Sequence, residues 1–165
     1  MFTKIDKFFD LIINFLAVMG RIVIIIISLL IITDIVALKF FNYSFSWIME
    51  VSEYLLVMLT FLGVAWLLKE DGHIKLDLLI NRMSKRNRRR LEILNTCLGA
   101  VISLVITVYG FIAVLNLYER GIKTETILEI PRYLLILIIP ISFIFVFIQF
   151  IRNLFALVKK SEIET

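Results

Sequence analysis

The sequence predicts an all-α integral membrane fold: four tilted transmembrane helices, with a short amphipathic helix in the interface between the second and third spans. Three observations carry this. Of 165 residues, 61% are hydrophobic and only 19% charged, with a mean hydropathy of +0.97. Average usage in soluble domains is nearer about 25% charged. The apolar residues gather into four runs, each long enough for a hydrocarbon core about 30 Å thick. The basic residues crowd to one side of those runs. In hydrocarbon, backbone amides must be paired internally, so the runs are helices. A chain of this length is expected to form a single membrane domain, residues 1–165.

The spans fall at about residues 11–38, 47–68, 91–117 and 133–158. Lys4 and Lys7 give a weak basic start, and no small-residue cleavage site follows, so the first run reads as a retained span. Arg21 and Asp34 interrupt it. They lie about 20 Å apart along a helix and cannot pair. They are expected near opposite ends of the span, snorkelling to the two interfaces. In the second run Trp47 and Trp66 stand about 28 Å apart, which marks both interfaces with indoles. Gly63, Gly99 and Gly110 lie inside spans, and Gly99, Ser103 and Thr107 form a small-residue row that permits close helix approach. Pro131 suits the start of the last helix, and Pro140 is expected to kink it.

Orientation follows from lysine and arginine. The loop 69–90 holds eight, and Lys4, Lys7, Arg152, Lys159 and Lys160 join it on the same side. Only Lys39, Arg120, Lys123 and Arg132 face the other way, with Arg21 uncounted inside its span. That bias places both termini and the middle loop in the cytoplasm. Within the loop, Leu76, Leu79, Ile80 and Met83 repeat at i, i+3, i+4 and i+7, the stripe of an interfacial helix. Lys75, Arg82, Arg86 and Arg89 form the basic membrane-surface group, and Ser84 or Asn87 caps the third span. The partner implied by the net charge of +4 is lipid, not nucleic acid.

Several chemistries are excluded. One cysteine, Cys97, allows no intrachain disulfide, and one histidine, His73, allows no haem held by two histidines of this chain. No cofactor, metal site or catalytic residue is expected. Glu50 and Glu53 share a helical face early in the second span. Three readings stay open for them: a cap at the helix start, where the dipole favours negative charge, a contact with a partner subunit, or a proton-coupled site. His73, after Gly72, reads as a structural residue that fixes the turn out of the second span.

The stretch Ser46-Trp47, Glu50, Tyr54-Leu55-Leu56, Phe61-Leu62-Gly63, Gly72-His73-Ile74 and Leu76-Asp77-Leu78-Leu79 resembles the small membrane subunit, of the DctQ type, of tripartite ATP-independent periplasmic (TRAP) transporters. Ile130-Pro131 and Pro140 also suit that family. The likeness covers most of the chain and is most specific from Trp47 to Leu79. It departs at Lys39, where the family often has an arginine; lysine keeps the charge and loses the planar fork. The resemblance implies a non-catalytic subunit in a bacterial inner membrane, bracing a large membrane subunit. That partner would import an organic acid, such as a C4-dicarboxylate or sialic acid, on a sodium gradient, with the solute delivered by a periplasmic solute-binding protein. It also implies that Trp47, Glu50, Gly63, His73 and Asp77 are structural or interface residues, and Glu53 is grouped with them. Two rivals stand beside this: a small proton-coupled exporter working as a dimer through Glu50 or Glu53, and a membrane anchor for a redox enzyme, which the single histidine disfavours.

Overall fold

A computed structural model describes residues 2–70 and 85–163. Four helices account for nearly all of them: α1, Phe2–Phe41; α2, Ser46–Glu70; α3, Lys85–Glu119; and α4, Arg132–Ile163. All four are long and apolar enough to cross a membrane. Among the described residues the sole β-type pairing is an isolated bridge between Lys123 and Pro131. The expected interfacial helix lies at 71–84, outside the described residues.

The helices pack in the order α1, α2, α4, α3, so the last helix is inserted between the second and third. Their contact stripes advance by three and four residues. Ile13, Ala17, Gly20, Val23 and Ile27 are the buried positions of α1, and Ile48, Ser52, Leu62 and Ala65 those of α2. Such spacing keeps one narrow seam facing a neighbour along the helix. One apolar cluster gathers Ile13, Ala65 and Val146 with Phe9, Phe143 and Phe145; a second gathers Val23, Ile27 and Leu62 with Leu55, Leu59 and Ile138.

The α3–α4 seam is closer. A Cβ placed on Gly99 would fall 2.4 Å from the Phe150 ring, and one on Gly110 would fall 3.1 Å from Pro140. Ser103, between them, is 1% exposed. The small-residue row of the sequence is therefore the face that receives α4. α4 continues as an α-helix through Pro140, whose fully buried ring rests on Gly110.

The helix ends explain the turns. Asn42 takes φ 51° after Phe41, and its N–H reaches the Leu38 carbonyl at 3.1 Å, which stops α1 in a left-handed cap. Gly121, at φ 60°, ends α3 with paired bonds, Ile122 N to Leu117 O and Gly121 N to Tyr118 O, at 3.3 and 3.1 Å. A side chain at that φ would meet backbone, which favours glycine there.

Candidate functional site

The chemistry-bearing side chains collect in two polar belts, with an apolar midsection between them. One belt lies at the end of the α1–α2 and α3–α4 loops. There Glu50 does not point to open solvent. The backbone N–H groups of Ile127 and Leu128 donate to its Oε1 and Oε2 at 2.8 and 3.2 Å. Beside it the Tyr54 hydroxyl meets Thr126 Oγ1 at 3.1 Å, and Lys123 pairs with Glu129 at 3.2 Å. The bridge between Lys123 and Pro131, with Thr124 N donating to Ile130 O at 2.9 Å, folds the loop back on itself. Glu50 and Tyr54, one turn apart on α2, thus hold the α3–α4 loop down.

Asp34 performs a similar task for the first loop. Its Oδ1 accepts the Phe45 N–H at 2.8 Å and the Ser44 hydroxyl at 3.1 Å. A carboxylate at that place stands at the N-terminus of α2, where the helix dipole favours it.

The second belt lies where α1 starts and α4 ends. Asp10 pairs with Arg152 at 3.0 Å and with Lys69 at 3.7 Å, joining α1, α4 and α2. Lys69 also donates to Asn14 Oδ1 at 3.0 Å, and Arg152 to Gln149 Oε1 at 3.2 Å. Arg89, in the first turns of α3, donates to the Leu157 carbonyl at 2.8 Å and ties α3 to α4. Of the basic membrane-surface residues, it alone has a described side chain, and that side chain is spent inside the fold. Arg86 lies in the first turn of α3, its side chain not described, while Lys75, Arg82, His73 and Asp77 lie outside the described residues.

The remaining expected positions are placed as follows. Trp47 is exposed at the start of α2, against Phe45. Glu53 is exposed and lines a groove of about 440 Å³ with Tyr54, Val57, Met58 and the 134–141 stretch of α4. Gly63 faces space, with nothing within 4 Å of an added Cβ. Glu50 and Glu53, read together from the sequence, are separated here: one fastens a loop and the other is left at the groove.

Arg21 departs from its expected place. It lies about 16 Å from Asp10 and about 20 Å from Asp34 along α1, and both of those residues are tied into the belts. Its neighbour Gly20 sits against Leu59, 3.5 Å from an added Cβ, and Leu59 is itself about 14 Å from Glu50 and about 15 Å from Lys69. Arg21 is therefore about midway between the two belts. Measured from Leu11 the residue looks closer to an end; α1 starts at Phe2, and Asp10, which precedes Arg21 on it, is held in an ion pair.

Sequence reasoning missed the partners of Asp10, Asp34 and Arg89. A detectable signal existed for Asp34 alone: an acidic residue one helix turn before the end of a span, followed by a Ser-rich connection.

What this arrangement offers is surface. No more than 22% of any spanning window is buried. Among the described residues there is no group of three or more metal-ligating side chains, and the groove beside Glu53 is lined almost wholly by carbon. The family model described as tripartite ATP-independent periplasmic transporters, DctQ component, matches residues 27–160. The chain is similar to the C4-dicarboxylate TRAP transporter small permease protein DctQ of Rhodobacter capsulatus, 28% identical over 117 residues, which is 71% of this chain and 51% of that protein. It is also similar to the ectoine TRAP transporter small permease protein TeaB of Halomonas elongata, 24% identical over 102 residues, 62% of this chain and 52% of that one. A third relative is the C4-dicarboxylate small permease protein DctQ of Pseudomonas aeruginosa, 26% identical over 119 residues, 71% of this chain and 57% of that one. The chain spans about half the length of the curated relatives it matches. With four membrane-length helices and a match that runs from the second half of α1 into the end of α4, it is a multi-pass membrane protein that belongs to the DctQ component family of the tripartite ATP-independent periplasmic transporters.

Proposed function

We propose that this chain is the small membrane subunit of a TRAP secondary transporter and acts as a fixed scaffold for a large membrane subunit. That subunit carries an organic acid inward on a sodium gradient, after a periplasmic solute-binding protein delivers it. One observation carries the reading: a family match over residues 27–160 on a fold whose long helices are mostly uncovered and whose groove beside Glu53 is lined mainly by apolar side chains. Oily helices of this kind suit packing against another membrane protein. Both termini and the 71–84 connection lie in the cytoplasm, on the basic side of the chain. The two relatives named for C4-dicarboxylates and the one named for ectoine are similar to this chain to a like degree. That supports a subunit which does not itself select the solute.

The test is reconstitution. The chain and its large subunit, co-expressed, are expected to co-purify, and vesicles holding both are expected to take up solute when the binding protein and a sodium gradient are supplied. Vesicles holding this chain alone are expected to move neither solute nor protons. Proton-coupled export by the isolated chain, abolished by Glu53→Gln, would replace the scaffold with the small-exporter reading.

A further inference from the structure

Arg21 is exposed on α1 and has no polar partner among the described residues. Its depth decides what that means. The carboxylates that build the belts, Asp10, Asp34 and Glu50, are about 14 Å or more from its level along the helices, beyond the reach of an arginine side chain about 7 Å long. A guanidinium always carries its charge, so it cannot adapt by losing a proton. Left in hydrocarbon it is costly, and such residues in membrane spans pair with another group or face protein.

The mid-span stretches of the other three helices offer no such group. Between Tyr54 and Leu68, Ile93 and Tyr118, and Tyr133 and Ile151 there is no Asp or Glu. The acids of α1, Asp10 and Asp34, are committed to the belts. The exposed carboxylate nearest that level is Glu53, about 9 Å along α2 from Leu59, and it lines the α2–α4 groove, while a symmetric contact between two copies through α1 sets Arg21 against Arg21. A contact through α1 therefore favours a different membrane protein as the source of the counter-charge. The flanking positions on the same helix face, Val18, Ile25 and Ile32, are 46%, 60% and 55% exposed, so an apolar strip surrounds the charge and leaves room for a helix.

We propose that Arg21 docks α1 onto a transmembrane helix of the large subunit through an ion pair with an Asp or Glu at mid-bilayer depth. This rests on the scaffold reading above. It adds which helix of this chain carries the contact and what chemistry the partner must present.

The experiment uses the chain co-expressed with its tagged large subunit, with capture in mild detergent as the readout and the membrane level of this chain alone as the folding control. Arg21→Leu is expected to leave the level of the lone chain unchanged or higher and to cut capture at least tenfold, because the partner's carboxylate is left unpaired in the interface. Arg21→Lys is expected to retain more capture than Arg21→Leu. A photo-cross-linker at Ile25, which removes no charge, is expected to join this chain to the large subunit. Capture of Arg21→Leu at the wild-type level, or cross-links from Ile25 to a second copy or to lipid alone, would overturn the ion pair while the scaffold reading stands. Failure of the wild-type chain to capture the large subunit would remove both. Arg21→Glu restored by exchanging one mid-span Asp or Glu of the large subunit for Arg would identify the partner residue.

Discussion

Glu50 shows how a single side chain in this fold works over a long sequence distance. Its carboxylate accepts two backbone amides from a loop more than seventy residues away, and those amides have no other partner in a tight, left-handed turn at Glu129, φ 43°. Glu50→Gln keeps the size and replaces one acceptor oxygen with a donor that faces an N–H. The expected loss is about 1 kcal/mol. Trypsin is expected to cut the variant faster at Arg120, Lys123 or Arg132 in proteoliposomes, and an unchanged cutting rate would contradict the tether. Asp34→Ala removes the carboxylate from the start of α2 and is expected to cost about 1 kcal/mol. A lower thermal midpoint in detergent is the measurement; an unchanged midpoint would show that water or Ser44 serves Phe45 equally well. The Glu50 contact was not legible in the sequence, and the Asp34 contact left only the signal of an acid close before a serine-containing connection. The pairing of Glu50 with Glu53 looked local because helical spacing is all that a sequence displays, whereas the loop that Glu50 holds is brought to it only by α4 docking on α2. Arg21 was misplaced for a related reason: apolar runs show where charges are rare, not which charges are already neutralised by partners from other helices.

At the scale of elements, the helices themselves were legible and their faces were not. Long apolar runs bounded by Lys, Arg and Trp give the spans directly, since lipid imposes length and composition. Lipid does not impose a polar face, however. Ile27 is 7% exposed and its neighbour Ile26 is 41%, yet hydropathy treats them alike. Only small residues betray a seam, and Gly99 and Gly110 mark the α3–α4 contact because a bulkier residue would strike Phe150 at the first and Pro140 at the second. Gly99→Leu is expected to force the two helices apart and lower stability by about 1–3 kcal/mol. Combining it with Phe150→Ala is expected to recover part of that loss, which a midpoint series in detergent would read. Equal midpoints for wild type and Gly99→Leu would mean the ring simply moves aside.

For the whole molecule, the belts give both ends of the four-helix unit internal cross-ties, Asp10 to Lys69 and Arg152 at one end and Glu50 to the 127–128 backbone at the other. Cross-ties at both ends are what the proposed scaffold, held beside a moving carrier, requires. The expected orientation is checked by labelling single cysteines in a Cys97→Ser background. In intact cells an impermeant maleimide is expected to reach Glu125→Cys and to reach Asn87→Cys only after lysis; the opposite pattern would invert the topology.

The placement of α4 between α2 and α3 has a consequence for biosynthesis. The ribosome delivers α3 before the helix it rests on exists, so α3 must wait in the bilayer with its small-residue face open, and the first two helices wait with Asp10 held by Lys69 and lacking Arg152. The nascent chain thus completes its assembly only when the fourth helix wedges into place. Stalling translation before Arg132 is expected to leave an intermediate that quality-control proteases clear quickly, whereas release after Val158 gives a long-lived product; equal half-lives for the two would show that the order of arrival does not matter.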